Sequence, residues 1–196
     1  HIGARPYQGM FSLLSLAGIS WLIWAYINAE RGELGQPPAA VIFTAIIMAM
    51  AGLWLAILGV VSPNPTTVDQ ERLLNATTPA RGIVRITRHP FMFGFAVWAL
   101  AHMMLNTDTA SLVFFGTFFA LAGLGPRLID AKKAKAFAGQ WPGFANATSI
   151  IPFAAIARGR NQFVSGEIGW WRPLMALLVV ALLMYFHGAL FGEALL

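Results

Sequence analysis

Residues 81–102 read RGIVRITRHPFMFGFAVWALAH. Arg81, Arg85 and Arg88 crowd the first eight positions, Pro90 follows, and residues 91–106 then carry no Asp, Glu, Lys or Arg. Proline suits the first turn of a helix, where its missing N–H has no bond to lose. A basic flank, a proline and an apolar run together describe a helix that starts among headgroups and enters hydrocarbon. One ionisable side chain lies deep in that run, His102, and a reading of the chain has to account for it.

The rest of the chain supports a membrane setting. Of its 196 residues 58% are hydrophobic and 11% charged, where a soluble domain averages about 25% charged. The length allows one domain, 1–196. Five stretches lack all four charged residue types: 11–29, 40–61, 91–106, 110–125 and 173–192. A helix rises about 1.5 Å per residue, so about 20 residues cross a hydrocarbon core about 30 Å thick. The first, second and fifth stretches are long enough. The third and fourth, joined by TDT at 107–109, read as a thin helical hairpin or a packed pair. The expected fold is all-α, a polytopic transmembrane helical bundle with five spans. Pro37-Pro38, Pro90 and Pro173 mark span starts, and Gly125-Pro126 is expected to close the fourth.

Charge sets a direction. With five crossings, one side carries Arg5, then Arg72, Arg81, Arg85 and Arg88, then Arg127, Lys132, Lys133, Lys135, Arg158, Arg160 and Arg172, while the other carries Arg31 alone. The positive-inside rule places the basic side in the cytoplasm of a bacterial inner membrane. This also explains the net charge of +5 better than nucleic acid does; the partner is the lipid bilayer. In the long basic loop, LIDAKKAKAFAGQW (128–141) is expected to form an amphipathic helix at the headgroup boundary. Trp170-Trp171-Arg172 reads as an interfacial anchor. The chain has no cysteine, which excludes disulfides, thiolate ligands and a cysteine nucleophile. It opens HIGARPYQGM, without an initiating Met, and a sixth span upstream is expected.

Four histidines remain. His1 is terminal. His89, between Arg88 and Pro90, is either an interfacial residue or part of an anionic-ligand site with Arg85 and Arg88. His102 lies 12 residues past Pro90 and His187 lies 14 past Pro173, which puts both about 20 Å from the basic side. Polar groups in hydrocarbon point to function unless they serve as interhelical hydrogen-bond glue. A hydrolase would need a nucleophile and an orienting acid beside them, and zinc would need three or four ligands. Haem iron needs only one or two axial imidazoles in an apolar pocket. Phe95, Trp98 and Ala99 precede His102 by seven, four and three residues and share its face, so they are expected to form a flat slot. Arg31 is the expected partner of the haem propionates.

The stretches RGIVRITRHPFMFGFAVWALAH, TSIIPFAAIARGR and EIGWWRPLMALLVVALLMYFHGALFG resemble the NnrU family, bacterial membrane proteins linked to nitrogen-oxide metabolism and denitrification. That family is similar to the plant and cyanobacterial 15-cis-ζ-carotene isomerases, which share the RITRHP and W-x-L-A-H patterns. The resemblance implies haem b, with His102 as an axial ligand and the second ligand in an upstream helix; His187 is the reserve. It also implies one alternative, a carotenoid cis–trans isomerase with an apolar ligand; a second alternative, of a structural class, is a haem-free accessory or assembly subunit working with other membrane subunits. Ala99 and Ala29 stand where the isomerases carry a cysteine and a histidine. A weaker resemblance, to isoprenylcysteine and phospholipid methyltransferases, rests on the R-H-P turn, but RLIDAKKAKAF offers only Asp130 where those enzymes hold the methyl donor with several acids.

Overall fold

The computed structural model describes residues 3–30, 32 and 37–192. Among these described residues eight α-helices follow one another: α1 (Ala4–Ile27), α2 (Ala39–Val61), α3 (Pro90–Leu105), α4 (Thr109–Ala136), α5 (Trp141–Ala147), α6 (Ala154–Ala157), α7 (Trp171–Tyr185) and α8 (His187–Phe191). Short 3-10 helices at Glu71–Asn75, Gly82–Arg85 and Ser165–Glu167 punctuate the connections. No strand occurs among the described residues. Residues 6–27 of α1, all of α2 and all of α4 are long and apolar enough to cross a bilayer. The protein is an all-helical membrane protein. Helix α1 buries almost nothing against the rest, so its apolar side chains face lipid all round. Its far end is tied in by Tyr26, which stacks on Phe114 at 4.3 Å and meets Ser111 Oγ at 3.3 Å.

The centre of the bundle is the antiparallel pair α2 and α3. Lipid is as apolar as leucine, so helices in it associate by close fit and not by hydrophobic exclusion. Gly52, Ala56 and Gly59 on α2 face Pro90 and Gly94 on α3. A Cβ placed on Gly52 would stand 2.6 Å from the Gly94 carbonyl oxygen, and one on Gly59 would stand 2.5 Å from the Phe91 nitrogen. No residue larger than glycine fits either position unless the backbones separate.

Three sequence expectations change here. Gly125-Pro126 does not close the fourth span: α4 runs through it for 28 residues, about 42 Å. Pro126 forgoes its bond to the Ala122 carbonyl, a cost of about 3 kcal/mol in an isolated helix. Packing compensates, since Ala122 and Pro126 are buried and the following turns pair with the loops through Asp130 and Lys133. Residues 128–136 are therefore the end of α4 and not a separate helix in the headgroups. The fifth span, expected as one run over 173–192, breaks at Phe186 (φ −91°, ψ 4°) between α7 and α8. Three ring-bearing residues in succession followed by Gly188 weaken the helix there. Helices α3 and α7, with 16 and 15 residues, are about 24 and 22 Å long, shorter than a full hydrocarbon core.

The basic loops fold into a cap over one end of the bundle. Leu58, Leu74, Ile83, Val84, Trp141, Phe144 and Ala176 form its core. Backbone bonds from Arg88 N–H to the Ser149 carbonyl (2.9 Å) and from Phe153 N–H to the Ile86 carbonyl (2.8 Å) stitch its two halves together.

Candidate functional site

In the cap, the loop before α3 and the inner turns of α4 bring Arg88, His89 and Asp130 together. Arg88 donates Nε and Nη2 to Asp130 Oδ2 at 2.9 and 2.6 Å. His89 Nε2 meets Asp130 Oδ1 at 2.7 Å, with His89 only 3% exposed. The carbonyl of Arg88 accepts from Asn64 Nδ2 and Thr66 Oγ1, both at 3.0 Å. Next to this cluster Arg85 grips Glu167 with Nε (2.7 Å) and Nη2 (2.9 Å), and Gly82 N–H donates to the same carboxylate at 2.8 Å. Gly82 sits at φ +66°, a backbone turn that glycine adopts without strain. Hydrogen bonds from Arg85 hold the Glu167 carboxyl down at about 2, and the Lys133 ammonium likewise lowers Glu71. Arg85, Arg88 and His89 are thus each paired with a carboxylate inside the chain. Asp130 and Glu167 were the partners that the sequence reading missed. Their scarcity was the available signal: eight acidic residues face thirteen basic ones, and an acid beside apolar segments needs a cation.

The other end carries His102. Helix α3 presents Phe91, Phe95, Trp98 and His102 as one continuous stack, with ring centroids 5.7, 5.0 and 4.5 Å apart in sequence. His102 Nδ1 lies 2.9 Å from the Trp98 carbonyl oxygen. A carbonyl can only accept, so Nδ1 bears the proton and Nε2 carries the lone pair. Nε2 makes no hydrogen bond among the described residues. The His102 carbonyl accepts from Asn106 Nδ2 at 3.0 Å and closes the helix end.

The expected flat slot is filled. Phe115 of α4 packs on His102 (4.7 Å) and Trp98 (5.6 Å), and Phe118 packs on Phe95 (5.5 Å). Ala99 is completely buried. Phe95 and Trp98 therefore act as a wall that orients the imidazole. His187 opens α8 just past the break at Phe186, stacks on Phe191 at 5.0 Å, and lies within electrostatic range of His102. Both histidines are half-buried. Arg31, the expected propionate partner, lies outside the described residues. No group of three or more His, Asp or Glu side chains gathers around a metal-sized space among the described residues.

Comparison with known proteins narrows the family. No solved structure matches the chain. It is 35% identical over 121 residues to the chloroplastic 15-cis-zeta-carotene isomerase of Arabidopsis thaliana, covering 59% of this chain and 30% of that protein. It is 32% identical over 119 residues to the protein of the same name from Zea mays, covering 59% of this chain and 31% of the relative. The match thus spans under a third of the length of these relatives. Residues 1–194 match the family described as NnrU protein, and the chain belongs to that family.

Proposed function

We propose that the protein is a haem b-binding member of the NnrU family that acts in nitrogen-oxide metabolism, in the bacterial inner membrane with its basic cap in the cytoplasm. The His102 imidazole carries this reading. An axial imidazole needs one nitrogen whose proton is held by a neighbour and another whose lone pair is uncommitted, and His102 has that arrangement. His187 is the nearby second imidazole, and its position at the helix break lets it shift with little loss of helix. Trp98 and Phe95 fix the ring plane of His102 from one side, while Phe115 limits its rotation. These residues fit a one- or two-histidine iron site better than an ion needing more ligands. Haem bound there would supply electron transfer or the binding of a small gaseous ligand. The chain's own part is to hold the Nε2 lone pair in place and to keep water away with the aromatic wall.

A second reading, carotenoid cis–trans isomerisation, is favoured by the two chloroplastic relatives. The test is the absorption spectrum of the purified intact protein. A Soret band that is lost in His102→Ala at unchanged fold supports the haem site; a full band at wild-type stoichiometry in that variant makes His102 structural glue. No band in the wild type would leave a haem-free accessory subunit as the reading. Turnover of 15-cis-ζ-carotene by the haem-loaded protein would move it to the isomerase class.

A further inference from the structure

We propose that the cap holds a second site, a cleft for a phosphate-bearing group of net negative charge, between the end of α2 and the start of α7. Ser62, Arg81, Glu167 and Arg172 line this cleft of about 630 Å³, with Leu73 and Ile83 on its apolar side.

Three arginines of the cap present the same guanidinium edge, Nε with Nη2. In Arg85 and Arg88 that edge holds a carboxylate. In Arg172 it holds nothing among the described residues. Its Nη1 donates to the Ile168 carbonyl at 2.9 Å and its Cζ lies 4.9 Å from the Trp171 ring centroid, while Nε is buried without a partner and Nη2 makes no hydrogen bond among the described residues. Ser62, 5% exposed, also lines this cleft, and its Oγ is buried without a partner. Arg81 lies on the rim and makes no ion pair among the described residues. The cleft's carboxylate, Glu167, takes its hydrogen bonds from Arg85 and Gly82 N–H, and Arg81 acts on it only through space.

A buried donor without an acceptor is a standing cost, and two of them on residues that line one cleft point to what is missing. The missing group is an anion with several acceptor oxygens, one pair matched to a guanidinium edge. Phosphate has that geometry. The apolar wall and the adjacent interfacial pair Trp170-Trp171 place the cleft at headgroup level, where a phospholipid headgroup and a soluble phosphate share this chemistry.

The experiment uses the full chain, delipidated in a zwitterionic detergent, with tryptophan fluorescence as the readout. The probes are dioctanoyl phosphatidylglycerol, dioctanoyl phosphatidylcholine and inorganic phosphate. Saturable binding of phosphatidylglycerol, weakened at least about tenfold in Arg172→Gln and about threefold in Arg81→Gln or Ser62→Ala, is expected. Arg158→Gln, an exposed cation elsewhere on the cap, should match the wild type. Phosphatidylglycerol binding well above phosphate assigns the site to a lipid headgroup, and equal binding of the two assigns it to a soluble anion. Equal binding of phosphatidylcholine and phosphatidylglycerol overturns the proposal. Wild-type affinity in both Arg81→Gln and Ser62→Ala also overturns it, and both of these variants keep the fold if Arg172→Gln does not.

Discussion

The basic cap and the His102 end of the bundle solve opposite problems. In the cap, ionic side chains lie at the boundary of the apolar core, and each of Arg85, Arg88, His89 and Lys133 has a carboxylate partner in the chain. At the other end a polar ring sits in an aromatic stack, with one nitrogen bonded and the other making no hydrogen bond among the described residues. A structural charge is satisfied internally because an unpaired one would unfold the region. A group kept for binding is satisfied only as far as its orientation requires. The contrast separates the two sets of polar residues by role, although Arg88, His89 and His102 all belong to α3 and the turn that leads into it.

Four measurements sharpen or break the contrast. The largest effect is expected from Asp130→Ala, which leaves Arg88 and His89 without their acceptor. Thermal unfolding in detergent should show a loss of about 3 kcal/mol; a wild-type transition would mean that the cap does not depend on its pairs. Gly94→Ala attacks the interface that carries both ends, because the new Cβ collides with the Gly52 carbonyl. About 2 kcal/mol of overpacking is expected, together with weaker retention of any ligand at His102.

The third is a pH profile. The Glu167 carboxyl falls from 4.5 to about 2 in the folded protein. Its stabilisation is therefore complete above pH 4.5 and fades as pH drops toward 2. Glu167→Gln should be less stable than wild type at neutral pH, with the gap narrowing below pH 4.5; a constant gap down to pH 2 would show that the pair does not titrate with folding. The smallest stability change belongs to His102→Ala, about 1 kcal/mol from one modest hydrogen bond. If that variant costs as much as Asp130→Ala, the histidine is structural and the contrast fails.

The sequence alone determined the membrane class and where the apolar helices lie. Charge-free runs and proline positions are local features, and hydrocarbon allows little besides a helix where they occur. Tertiary structure decided everything that depends on distant partners. Arg88 and Asp130 are 42 residues apart and Arg85 and Glu167 are 82 apart, and no local pattern says which acid folds back onto which arginine. The same contacts carry α4 through Pro126, against the local signal to stop, because burial and ion pairs beyond the proline outweigh one lost backbone bond. Packing also decided the fate of the aromatic stripe. Helical spacing put Phe95, Trp98 and His102 on one face, but only the approach of α4 determined that Phe115 and Phe118 would cover that face and leave the imidazole's Nε2 without a hydrogen bond among the described residues.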